Sequence, residues 1–184
     1  MSLSAVARGA AFERTVQSWL LHHLSMDLSR SGGANDDGID LQGWWRLSRT
    51  ACKIDYRAIV QCKAESKAQG PRVLRELEGT IHRTGASGNV VGVLASASPF
   101  TPRSIQRAMS SQTPLLLLHL SLSDTDSPIC RALIANRVLQ TQVEPCLHIS
   151  DIRAASPADD GRRSAQVQIR WKNANGVFDA TIIQ

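Results

Sequence analysis

The apolar positions of the first 25 residues fall on one helical face. Phe12, Val16, Trp19, Leu20 and Leu24 recur three to four residues apart, which predicts a helix over residues 5–24. Met26 to Arg30 reads as an edge strand. A glycine-rich turn, Gly32 to Gly38, leads into the strand pattern of Ile39 to Trp45, and a second strand is expected from Ile54 to Lys63. Side chains alternate across a strand, so Ile54, Tyr56, Ala58, Val60 and Cys62 share one face. Asp55, Arg57, Ile59, Gln61 and Lys63 share the other.

The next segment returns to the helical period. Val73, Leu74, Leu77 and Ile81 form a stripe on a helix over Pro71 to Thr84, with proline in its first turn. Asn89 to Ala95 and Pro114 to Leu120 are apolar on both sides and read as buried strands. Between them Thr101 is suited to cap a helix over Arg103 to Ser111, with Pro102 at its first position and Phe100 as a packing anchor. Ile129 to Leu139 is expected to be helical. Gln166 to Lys172 and Val177 to Ile183, joined by Asn173-Ala174-Asn175-Gly176, have the form of a β-hairpin. The class is therefore α/β, with a central mixed sheet of four to five strands flanked by helices and a C-terminal β-hairpin. The polar run Ser121 to Ser127 divides a core, residues 1–122, from an extension, residues 123–184, of helix plus hairpin packed on the core.

Composition narrows the partners. The chain has 184 residues, a formal charge of +5 and a pI near 9.4, and most of its basic residues are arginine, which pairs bidentately with phosphate. Trp19, Trp44, Trp45 and Trp171 are large enough to anchor packing. No apolar run reaches the roughly 20 residues of a membrane helix. Cys52, Cys62, Cys130 and Cys146 show no CxxC pairing, so neither a zinc site nor a disulfide framework is expected and an intracellular, reducing setting is the simpler reading. His22, His23, His82, His119 and His148 lack metal-cluster spacing and receive no role.

The residues with chemistry lie between Gly32 and Lys63. Asp36, Asp37 and Asp40 fall within five residues, and Gln61 and Lys63 project together at the end of the later strand. Carboxylate and carbonyl oxygens suit Mg²⁺, and a nearby ammonium can orient a water or offset charge on phosphorus. Asp36 reads as an ordinary turn acid. Asp37 stands closer to Asp40 and is placed to support a metal through water, and Asp40 ranks above both because it sits inside the strand signal. Glu13 lies beside the apolar stripe of the first helix and can face inward; a surface pairing with Arg14 or Gln17 is the alternative.

The combination of Gly9-Ala10-Ala11-Phe12-Glu13, Asp36-Asp37-Gly38-Ile39-Asp40 and Gln61-Cys62-Lys63 resembles the Mrr-like branch of the restriction-endonuclease superfamily, the PD-(D/E)XK nucleases. Further matches occur at Arg75-Glu76-Leu77-Glu78-Gly79, Val91-Gly92-Val93-Leu94, Ser98-Pro99-Phe100-Thr101 and Pro114-Leu115-Leu116, so the resemblance covers about residues 8–122. With Trp44 soon after the aspartate turn, the wording is most similar to the fungal mitochondrial required-for-respiratory-growth protein 7 group. The resemblance implies a restriction-endonuclease-like core and a Mg²⁺-dependent endonuclease, Mn²⁺ being an alternative metal, that hydrolyses DNA phosphodiesters in mitochondrial DNA maintenance. It implies catalytic roles for Asp40, Gln61, Lys63 and Glu13, and metal ligation by Asp40, Gln61 and the carbonyl of Cys62. Gln61 departs from the acid usual in the superfamily, which puts metal binding in question.

Arg72, Arg75 and Arg83 lie off their helix stripe and are candidates for a nucleic-acid backbone, as is Thr101 at a helix start. Solvated charge and plain capping are the alternatives. DNA is the expected partner, RNA and a homodimer remain open, and no membrane is implied. The rival functions are a nuclease-fold DNA-binding protein that does not cut and a subunit of a nucleic-acid-associated assembly.

Overall fold

The computed structural model describes residues 4–31, 38–47, 54–84, 89–122, 128–153, 165–172 and 178–183. The first helix, α1 (Ala5–Leu24), buries the stripe Phe12, Val16, Trp19, Leu20 and Leu24. Its start is capped by Ser4, whose hydroxyl accepts the Ala7 amide at 3.2 Å. It ends at Ser25, which takes a left-handed conformation (φ 56°) and turns the chain directly into β1 (Met26–Arg30).

β1 pairs antiparallel with β2 (Leu41–Arg46), and β2 pairs antiparallel with β3 (Asp55–Lys63). After β3 the chain crosses through α2 (Pro71–Arg83) to β4 (Val90–Ser96), parallel to β3. It crosses again through α3 (Pro102–Ser110) to β5 (Leu115–Ser121), parallel to β4. β6 (Ile129–Ala135) returns antiparallel on β5. The central sheet is mixed and has six strands in the order β1-β2-β3-β4-β5-β6.

Two clusters pack its two faces. On one, α1 meets Tyr56, Ala58 and Val60 of β3 and their neighbours. On the other, Leu74, Leu77 and Ile81 of α2, with Ala108 of α3, cover Ile59, Leu94, Leu115 and Leu117. Each fully buried Leu or Ile contributes about 1.5–3 kcal/mol. Gly92 on β4 makes the second contact close: a Cβ there would meet Ile81 Cδ1 at 2.5 Å and Leu115 Cδ2 at 2.9 Å.

After β6, α4 (Arg137–Val143) leads to a separate antiparallel sheet of β7 (Leu147–Arg153), β8 (Ala165–Lys172) and β9 (Phe178–Ile183), in the order β7-β8-β9. Ile149, Val167, Ile169 and Ile183 join the same apolar cluster as α1.

Several expectations need correction. The central sheet has six strands, not four or five. Ile129 to Leu139 is not one helix: its first seven residues form β6, because ladder bonds to β5 and burial of Cys130, Leu133 and Ala135 outweigh helical propensity. Asn136 then caps α4 by accepting the Leu139 amide at 3.0 Å. The C-terminal hairpin is accompanied by β7. Cys146 is disulfide-bonded, against the expectation of no disulfide, while Cys62 is free and Cys52 lies outside the described residues. Trp44 anchors no packing: it is 47% exposed, while its neighbour Trp45 is fully buried.

Candidate active site

The end of β3 is where the singled-out residues meet. Leu41 lies opposite Val60 in the β2–β3 ladder, and just upstream the Asp40 amide donates to the Val60 carbonyl at 3.0 Å. The Asp40 carboxylate reaches across and its Oδ2 accepts the Cys62 amide at 2.7 Å. A carboxylate bonded to a backbone N–H is held in one place.

Gln61 is 6% exposed, and its Oε1 is buried with no hydrogen-bond partner among the described residues. An amide oxygen left this way costs free energy unless something else occupies it. The chain passes over this amide at Gly38 (φ +77°), where an added Cβ would stand 3.1 Å from Gln61 Nε2. Glycine is used there because both the backbone angle and the amide beneath resist a side chain.

Lys63 ends β3 half-buried, and its carbonyl accepts the Ala97 amide at 2.9 Å. Alternation on β3 runs as the sequence predicts: Tyr56, Ala58 and Val60 face α1 with Cys62 packed against them, and Ile59 faces α2. Gln61 and Lys63 therefore share the α2 face. Burial drives the Cys62 thiol well above its ordinary pKa of 9.0, with the Asp40 and Glu13 charges adding to the rise and Lys63 opposing it. Asp40, Glu13 and Lys63 thus all lie within electrostatic reach of one strand end.

Glu13 is inward-facing, but its partner is Arg30 rather than Arg14 or Gln17. Oε2 receives Arg30 Nη2 at 2.6 Å and Nε at 2.9 Å, and the carboxylate is 18% exposed. Sequence reasoning missed Arg30, although β1 alternation with Met26 and Leu28 buried points residue 30 toward α1. Asp36 and Asp37 lie outside the described residues.

The proposed nucleic-acid contacts are spread out. Arg72 is exposed and pairs with Glu76 at 2.8 Å, and Arg75 is exposed. Arg83 donates to Thr80 Oγ1 at 3.1 Å from the far end of α2, roughly 16 Å along the axis from Arg72. Since α2 returns the chain to the start of β4, Arg83 stands at the end of the sheet opposite Lys63. Thr101 caps α3, accepting the Ser104 amide at 3.2 Å.

Thr101 also belongs to a polar network absent from the sequence reading. Its amide donates to Gln69 O at 3.0 Å, Ser104 Oγ donates to the same carbonyl at 2.6 Å, and Ser98 Oγ donates to Lys67 O at 2.6 Å. These bonds tie the segments that follow β3 and β4 together beside Lys63. A cleft of about 820 Å³ opens between this frame and the start of α1, with Arg8, Glu65 and Lys67 on its walls. Its only sequence signal would have been three scattered charges.

The donors that converge are hard oxygens: the Asp40 carboxylate, the buried Gln61 Oε1 and the backbone at Cys62. They fit Mg²⁺ or Mn²⁺ and not a soft metal. Among the described residues no group of three His, Cys, Asp or Glu side chains could hold a metal. Any metal here rests on one acid, an amide and main-chain oxygen.

The fold and this strand end define a mixed-sheet α/β protein with an acid, an amide and a lysine gathered where an antiparallel hairpin meets parallel strands. The profile of the required for respiratory growth protein 7 family matches residues 4–59 and 53–144, and the chain belongs to that family. It is 34% identical over 117 residues to an uncharacterized mitochondrial protein of Schizosaccharomyces pombe, a match covering 64% of this chain and 46% of that one. It is 27% identical over 162 residues to the required for respiratory growth protein 7, mitochondrial, of Zygosaccharomyces rouxii, covering 66% and 67%. The same protein of Vanderwaltozyma polyspora is also 27% identical over 162 residues, covering 65% of each. The chain thus spans about half to two thirds of the relatives' lengths. All three names are mitochondrial, in agreement with the expected location. No solved structure matches the chain.

Proposed function

We propose that the chain is a metal-dependent nucleic-acid hydrolase of the Mrr-like PD-(D/E)XK type, acting on DNA phosphodiesters. The observation that carries this reading is the buried Gln61 Oε1, which has no hydrogen-bond partner among the described residues, beside an Asp40 carboxylate pinned on the Cys62 amide. Buried polar atoms are as a rule hydrogen-bonded, and an amide oxygen open beside a fixed carboxylate is a fitting ligand for a hard cation. Asp40, Gln61 and the Cys62 carbonyl would hold Mg²⁺, which when bound polarises a phosphate and acidifies a water. Lys63, on the same face as Gln61, orients that water and offsets charge on the phosphate oxygens. Glu13, fixed by Arg30, adds negative potential at the rim. Mitochondrial DNA maintenance is the setting this reading gives the family.

Cleavage of labelled linear, single-stranded and branched DNA with Mg²⁺ or Mn²⁺ tests the proposal. Asp40→Ala and Lys63→Ala should each lower the rate at least about 100-fold with the fold intact, the loss typical of a key electrostatic group. Unchanged cutting in either variant removes that residue from the mechanism.

A second reading is a nuclease-like protein that binds without cutting. The neutral Gln61 and the absence of an acid trio among the described residues favour it. Its mark is salt-dependent DNA binding with no cleavage under any divalent cation.

A further inference from the structure

The α2 face of the central sheet is half covered. α2 and α3 pack over β3, β4 and β5, and among the described residues no helix covers the same face of β1 and β2. The register puts Asp27 opposite Trp44, Trp44 opposite Arg57, and Ser29 opposite Gln42. These residues line a hollow of about 500 Å³, a size that suits a small planar ligand. The indole of Trp44 forms its apolar wall at 47% exposure. Leu28 and Gly43 also line it, and the remaining side chains are polar: Arg57 Nη2 donates to Gln42 Oε1 at 3.0 Å, and Ser29 Oγ donates to Gln42 O at 3.2 Å.

An exposed tryptophan between a carboxylate and a guanidinium is an uncommon wall for a solvent-facing sheet. It offers a π surface for stacking, donors and acceptors for the edge of a heterocycle, and a cation for a phosphate. Opposed residues of a ladder share a face, so Trp44 lies on the side of the sheet that carries Gln61 and Lys63. Arg57 and Gln61 are four residues apart on β3, about 13 Å, which a strand of a few nucleotides spans.

We infer that this hollow is a nucleobase subsite: an unpaired base stacks on Trp44, its edge faces Asp27 and Gln42, and Arg57 meets the backbone phosphate. A paired base cannot offer its flat face to a side wall, so the subsite selects single-stranded or flapped nucleic acid over continuous duplex. The inference rests on the nucleic-acid reading of the site but not on cutting.

The full chain, held in EDTA so that nothing is cut, is titrated with a 16-nucleotide oligothymidylate and with an abasic strand of equal length. Tryptophan fluorescence and affinity are both followed. The expected result is quenching by the base-bearing strand only, lost in Trp44→Ala together with about tenfold in affinity, the size of one base stack. Trp44→Phe should restore most of the affinity. Abasic DNA should bind both Trp44→Ala and the unmodified chain equally weakly.

Equal oligothymidylate affinity for Trp44→Ala and the unmodified chain overturns the proposal. So does quenching by the abasic strand, or a Trp44→Ala chain that sediments as a monomer where the unmodified one is a dimer that DNA does not compete with. Lys63→Ala should keep the quenching. Stacking intact without any metal-dependent cleavage would sink the nuclease reading and leave this one standing.

Discussion

Two buried polar clusters in this protein have opposite fates. Glu78 on α2 is 8% exposed and closed on itself: Arg107 Nη2 reaches Oε2 at 2.6 Å and Ser111 Oγ donates to Oε1. Gln61 on β3 is as deeply buried, yet its Oε1 has no partner among the described residues. The first cluster staples the end of α3 to α2, and nothing is left over for a ligand. The second holds, among the described residues, an acceptor without a donor beside a fixed carboxylate. Burial alone therefore does not separate these two side chains; their hydrogen bonding does.

Substitutions at the two clusters should separate on this basis. Gln61→Leu, close in shape and without the orphaned oxygen, should reduce metal-dependent cleavage about 100-fold while urea denaturation shows stability within about 1 kcal/mol of the unmodified chain. A loss of several kcal/mol instead would make Gln61 structural. Glu78→Ala should do the reverse, costing about 2 kcal/mol in the same denaturation because it strips an acceptor from Arg107 and Ser111, with per-molecule cleavage unchanged.

Gln61→Glu sharpens the contrast further. A second carboxylate beside Asp40 should lower stability by about 1 kcal/mol in EDTA. Saturating Mg²⁺ should then raise its melting temperature by several degrees more than it raises that of the unmodified chain. A Tm that ignores Mg²⁺ in this variant would argue that no metal sits between these groups.

The smallest effect is in alkali. Burial, then Asp40 and Glu13, raise the Cys62 thiol above its unfolded pKa of about 9, so the folded chain keeps a proton that the unfolded chain loses. That stabilisation is complete below pH 9 and falls as pH climbs toward the folded value. Tyr56, also raised by burial, adds the same sign from about pH 10. Cys62→Ser should flatten the part of the decline that starts near pH 9 in a stability–pH series.

The chain declares its elements unevenly. The α1 stripe, the β3 alternation and the Thr101 cap follow from spacing because each is a local pattern with one period. β6 does not: Ile129 to Ala135 is a short apolar run with a single charge, which suits a helix or a strand, and only pairing with β5 decides. The adjacent Trp44 and Trp45 must face opposite ways on a strand, but which side lies under α1 is a tertiary fact. At the strand end, strand phase put Gln61 and Lys63 on one face, as the β3 alternation has it, whereas Asp40 lies just before β2 rather than inside the expected strand. The Glu13–Arg30 pair and the Gln69–Ser98–Ser104 frame were not legible, because they join residues on different elements whose approach no local pattern encodes.

Ser25 carries a consequence for native-state opening. A single left-handed residue joins the last turn of α1 to the first pair of the edge strand, leaving no slack between them. The C-terminal turn of α1 and the Met26 end of β1 then behave as one cooperative unit, and their amides exchange with solvent together at a free energy below that of the β3–β5 centre. When that unit opens, Trp45 loses its ladder partner Met26, while the Arg30 end of β1, beside Asp40, lies at the other end of the ladder.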